Sequence, residues 1–118
     1  MFKFLYVGLG GALGAILRYS FSFLPIASNK TIFINIIGAI VIGFVSFFSK
    51  NIRVLDQRLF LFLTTGLCGG FTTFSTFSLE TVQLIEKNEY FLALLYSLGT
   101  VMLSLIGIYI GYYLAKLF

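Results

Sequence analysis

Phe71, Phe74 and Phe77 recur every three residues among the hydroxyls of Thr73, Ser75, Thr76 and Ser78, just after Gly66, Gly69, Gly70 and Thr72. A phenyl ring has a negative face and a positive edge. Rings turned edge-on therefore attract an anion without the full charge that would hold it too tightly for passage. Core packing is the competing use, since the chain has 15 phenylalanines. The glycines and threonines offer different chemistry. Three glycines and two threonines within the eight residues Gly66 to Thr73 weaken a helix, and a broken helix frees the carbonyls of its first half and the amide donors of its second. Free carbonyl oxygens are hard ligands for a small cation such as sodium. A second half-helix opening with Thr72 and Thr73 as caps points a positive dipole end at the gap. The plainer use of Gly66 and Gly70, four apart, is a close crossing of two helices.

Other polar groups stand in equally apolar surroundings. Asn35 is the one strong polar group between Thr31 and Ser49, and an amide there must face either a partner helix or a conduit. Tyr96, Thr100 and Ser104 are spaced by four, which superposes three hydroxyls on one helix stripe. Such a row either replaces part of an anion's hydration shell or bonds to neighbouring backbone. Arg18 follows 14 uncharged residues and sits at a membrane boundary, either snorkelling or presenting a fixed charge to a water-filled mouth. Glu80 lies about two turns before its helix ends, near a mouth rather than deep in the membrane, so a solvated or capping role is expected. Cys68 has no second cysteine to pair with and reads as a small buried residue.

The elements that position these groups follow from composition. With 59% apolar and 10% charged residues in 118, the chain has more hydrophobic surface than a soluble domain of that size hides from water. It reads as one all-α integral membrane domain over residues 1–118. Having no histidine, one cysteine and four carboxylates, it lacks the material for histidine triads, cysteine metal clusters or disulfide frameworks, and no enzymatic role is expected. The net charge of +4 comes from eight scattered basic residues, which fit loops beside anionic lipid headgroups rather than a nucleic-acid surface.

Four membrane helices are expected. The first runs from Phe4 to Leu24 and stops at Pro25, the only proline, before a polar Ala27-Ser28-Asn29-Lys30 turn. Its opening has some look of a signal peptide, but the spans that follow favour a retained helix. Gly10 and Gly14 give it a small-residue packing strip. The second covers Thr31 to Ser49, and the third Leu59 to about Ile85, divided near its middle at Gly66 to Thr73. The fourth covers the 26 uncharged residues Tyr90 to Ala115, about 39 Å of helix at 1.5 Å per residue, enough to require tilt or protrusion. Four spans place Lys3, Lys50, Arg53, Arg58 and Lys116 on the face of both termini, against Arg18, Lys30 and Lys87 opposite. That bias favours cytoplasmic termini only weakly, a count compatible with insertion both ways and antiparallel assembly or with one fixed orientation.

Three stretches then carry a family resemblance: Gly10 to Tyr19, Asn35-Ile36-Ile37-Gly38 with Gly43, and Gly66 to Phe77. In order and spacing they resemble the Fluc (CrcB) family of bacterial fluoride channels, and the likeness extends over the whole chain. The resemblance implies a passive fluoride-selective channel in the bacterial plasma membrane that lowers fluoride toxicity, built as an antiparallel dual-topology dimer with two pores. The partner would be a second copy or an oppositely oriented paralogue. It also implies Phe74, Phe77 and Asn35 as pore groups, Tyr96, Thr100 and Ser104 as a polar track, and Arg18 at the aqueous vestibule. Gly69 and Thr72 would offer backbone carbonyls to a structural sodium at the dimer centre. The nearest rival, a small multidrug-type proton-coupled exporter, should carry a glutamate in its first helix, and Phe4 to Leu24 has none.

Overall fold

The computed structural model describes residues 2–25 and 30–118, so the turn expected at Ala27 to Asn29 lies outside the described residues. Its helices are α1 (Phe2–Phe21), α2 (Lys30–Phe47), α3 (Gln57–Leu61), α4 (Gly69–Phe71), α5 (Phe74–Glu86) and α6 (Tyr90–Lys116). Two π-helical stretches, Phe48–Ile52 and Phe62–Cys68, extend α2 and join α3 to α4. Four helical segments are thus long and apolar enough to cross a membrane: 2–21, 30–52, 57–86 and 90–116. The long axis of 48 Å matches a bilayer with its headgroup regions, about 40–45 Å.

The ends follow local chemistry. Helix α1 stops at Phe21, and one further turn, held by Ser22, Phe23 and Leu24 amides donating to carbonyls three residues back, brings the chain to Pro25. The second span outruns its expected end at Ser49 because the π turn carries it to Ile52, where Arg53 turns extended. Asp56 caps α3 by accepting from the Arg58 amide at 2.8 Å. After α5, Asn88 takes a left-handed φ of 62°, and the Asn88 and Glu89 amides donate to the Ile85 and Leu84 carbonyls at 2.9 Å each. This is a Schellman closure, and asparagine tolerates its αL position better than most residues.

Packing runs largely through glycine. Helix α1 lies on the first half of the third span, where a Cβ on Gly66 would stand 2.9 Å from Gly10 Cα and 2.9 Å from the Val7 carbonyl. Helices α2 and α6 pack with the same intimacy: a Cβ on Gly111 would stand 2.6 Å from the Phe44 amide. Gly10–Gly14, Gly66–Gly70 and Gly107–Gly111 all serve as the close-approach pairs their spacing predicts. Among the described residues no large side chain is fully buried, and Phe4, Phe91, Tyr109 and many leucines are exposed. Apolar side chains point outward because the solvent for most of this surface is lipid.

The third span is broken, as expected, but more narrowly. Gly66 through Gly70 stay helical, and only Thr72 (φ −80°, ψ 160°) and Thr73 (φ −149°, ψ 123°) are extended. Gly66 and Gly70 are spent on close approach to α1, while Gly69 faces the groove, and the interruption falls on the β-branched pair that follows, for which extended backbone is comfortable.

Candidate functional site

Both sides of the break are held by side chains. The Thr73 hydroxyl caps α5 by accepting from the Thr76 amide at 3.2 Å. Thr72 closes the other half: its amide and its hydroxyl both donate to the Cys68 carbonyl, at 3.0 and 2.9 Å. Arg18 reaches across from α1 and donates from Nε to the Gly70 carbonyl at 3.2 Å, setting a positive charge beside the negative end of the first half-helix. No hydrogen bond to the Gly69 or Thr72 carbonyl forms among the described residues, so these two oxygens keep their acceptor capacity.

Asn35 binds the break from α2. Its Oδ1 accepts from the Thr73 amide at 3.0 Å, and its Nδ2 donates to the Thr73 carbonyl at 3.2 Å. The side-chain amide thus stands in for the helix partners that Thr73 gives up, leaving one Nδ2 hydrogen uncommitted to this pair. Of the two uses foreseen for Asn35, the structure shows the helix tie, made at the wall of a cavity.

That cavity is an open groove of about 830 Å³ between α2, the third span and α6. Asn35, Gly69, Thr72, Phe74, Phe77, Thr100 and Ser104 all line it. Phe74 is 77% exposed and Phe77 only 8%, with ring centroids 5.7 Å apart and planes at 47°. Thr100 is 4% exposed, and its Oγ1 has no hydrogen-bond partner among the described residues. A buried hydroxyl without a partner costs about 1–3 kcal/mol, so one retained on a groove wall is chemically conspicuous.

Tyr96 and Arg18 lie outside this lining. Tyr96 packs beyond Phe77, centroids 5.4 Å apart, and its hydroxyl donates to Glu80 Oε1 at 3.0 Å. The rings of Phe74, Phe77 and Tyr96 therefore form a continuous aromatic file leading from the groove to a carboxylate. Glu80 is tied to this file, a link that sequence spacing did not reveal because it joins residues 16 apart on two helices. The role of Gly38 was also missed. A Cβ there would collide with the Thr72 methyl, although Gly38 is one turn from Asn35 on the same face of α2, a spacing that could have flagged it. Ser46, Thr64 and Thr65 add hydroxyls along the groove. Cys68 is buried at 4% exposure, as expected.

Comparison with known proteins fits this geometry. Residues 5–112 match the family described as CrcB-like protein, Camphor Resistance (CrcB). The chain belongs to the CrcB family. A Helicobacter pylori (strain G27) protein named fluoride-specific ion channel FluC is 41% identical, the match covering 99% of this chain and 95% of the relative. Proteins of the same name from Helicobacter acinonychis (strain Sheeba) and Azobacteroides pseudotrichonymphae are 40% and 35% identical, each matched over 98% of this chain. With four helices of membrane-crossing length and apolarity, this CrcB chain is a multi-pass membrane protein.

Proposed function

We propose that the chain is a fluoride-selective channel of the bacterial inner membrane, passing the anion along the groove face that holds Asn35, Phe77, Thr100 and Ser104. The observation that carries this reading is the partnerless Thr100 hydroxyl, buried on the wall that also presents the Asn35 amide and the Phe74–Phe77 pair. Fluoride is small and strongly hydrated, so a dehydrating path needs donors close together. An amide hydrogen, hydroxyls and phenyl edges supply them without a full charge that would trap the ion. The names of the relatives support the choice of fluoride.

Conduction is passive. Hydrogen fluoride enters a cell from acidic surroundings as a neutral acid and dissociates in the more alkaline cytoplasm. An inside-negative potential then drives the anion out, with about 2.3 kcal/mol per 100 mV for one charge. No group in this path needs to change protonation. The exporter alternative finds no support, since α1 has no carboxylate and Glu80 is engaged by Tyr96.

A groove that exposes Phe74 and lies open along one side is half of an enclosed path. In this reading a second, antiparallel copy covers it and closes two pores, and an oppositely oriented paralogue is the outcome if the single chain proves inactive. Gly69 and Thr72 fit a structural sodium, because their carbonyls are hard oxygen donors, lack hydrogen-bond partners among the described residues and line the same groove. When bound, the ion would neutralise the carbonyl ends of the first half-helices. Arg18, on the Gly70 carbonyl, acts in the same sense from α1.

The deciding experiment is ion efflux from liposomes containing this single chain. Fluoride release without chloride release is expected. Intact dimers that release neither would overturn the reading, and fluoride release only with a paralogue would replace the homodimer by a heterodimer.

A further inference from the structure

Two residues one turn apart on α2 meet the two residues of the break. Asn35 takes both backbone groups of Thr73, and Gly38 receives the methyl of Thr72. Thr72 and Thr73 line the groove, and a second, wholly apolar cavity of about 150 Å³ lies against Gly38, Cys68 and Phe71. With open space on the groove side, the hydrogen bonds of Asn35 and the fit of Gly38 help decide where the extended dipeptide lies.

We propose that Gly38 and Asn35 are positioning residues that mould the Thr72–Thr73 interruption from α2, and through it the direction of the Thr72 carbonyl. Gly38 and Thr72 are a fitted pair. Thr72 cannot avoid a methyl at position 38 by turning about χ1, because its hydroxyl is held on the Cys68 carbonyl at 2.9 Å, and rotation would break that bond. An added methyl must therefore either break that hydroxyl bond, leaving the Thr72 amide alone on the Cys68 carbonyl, or push the dipeptide away from α2. The second changes the carbonyl's aim directly, and the first loosens the turn that sets it. A serine at position 72 keeps the hydroxyl and drops the methyl, so it should accept alanine at position 38.

The sodium arm of the test rests on the reading of Gly69 and Thr72 as carbonyl ligands, and the exchange arm does not. Gly38→Ala, Thr72→Ser, the double variant and Asn35→Ala are purified in detergent. Thermal melting is followed as sodium replaces a bulky organic cation, and amide exchange is measured by mass spectrometry on the peptide spanning residues 70–77. In Gly38→Ala the sodium concentration giving half of the stabilisation should rise at least about tenfold, in line with the loss of a supporting group around a metal ligand. Exchange in the peptide should accelerate. Thr72→Ser is the reference for the double variant, which should match it in both readouts and so regain what Gly38→Ala loses, including when Gly38→Ala alone fails to fold. Asn35→Ala should accelerate exchange by freeing the Thr73 amide. Unchanged exchange and sodium response in Gly38→Ala, or a double variant no better than the single, would overturn the pairing. If the parent melts identically with and without sodium, the sodium reading fails and the exchange comparison alone decides the positioning claim.

Discussion

Thr100 sets the residue scale, because its chemistry separates stability from function. Valine nearly matches threonine in shape and has no hydroxyl to strand, so Thr100→Val should leave the melting temperature unchanged or raised, relieving up to about 1–3 kcal/mol. Fluoride flux should nevertheless fall, by about tenfold if the lost hydrogen bond to the anion is worth about 1.4 kcal/mol. A variant that is both stable and fully conducting would remove Thr100 from the path. Phe77→Ile makes a complementary case. It takes a ring from a site that is 8% exposed and contacts Tyr96, so a modest loss of stability, about 1–2 kcal/mol, should accompany a much larger loss of flux, read in the same liposomes. The identities of these residues were legible in the sequence because spacing alone puts Tyr96, Thr100 and Ser104 on one stripe. What spacing could not give was which hydroxyl already has a partner: Tyr96 is committed to Glu80, whereas Thr100 is not.

At the scale of elements, the third span divides its work between its halves. Its first half is glycine-rich for the sake of α1, and its second is a capped amphipathic helix carrying the rings. Gly66→Ala should cost stability, about 1–3 kcal/mol, because the new Cβ would lie 2.9 Å from backbone atoms that cannot swing aside. Gly99→Ala is the matched control. Nothing lies within 4 Å of a Cβ there, so no loss is expected, and melting of the two purified variants checks the contrast. The sequence showed four spans and a broken third one, because uncharged runs and glycine clusters are one-dimensional signals. It placed the break too broadly, since a glycine reads the same whether it loosens a helix or lets another helix approach. Only the partner backbone, here Gly10 and Val7, tells the two apart.

For the whole molecule, the central fact is a chain whose apolar groups face outward and whose groove, largely apolar but set with hydroxyls and the Asn35 amide, is open along one side. Sodium removal is the global test of the assembly reading. Prolonged dialysis into sodium-free buffer should lower both fluoride flux and melting temperature, and restoring sodium should recover them; indifference of both would leave Gly69 and Thr72 as packing residues. Membrane class and four-helix topology were readable from composition. Enclosure of the groove was not, because no described residue covers its open side. The backbone contacts described between α1 and the third span and between α2 and α6 also bear on how such a gene tolerates change. Where main chains touch through glycine, the smallest possible addition is a collision, whereas Phe4 and Phe91, 85% and 77% exposed, touch little of the rest of the chain. In a saturation library scored for growth on fluoride, lethal substitutions should therefore gather at a few of the smallest residues and at the groove residues Asn35, Phe77 and Thr100, while bulky residues exposed away from the groove drift almost freely.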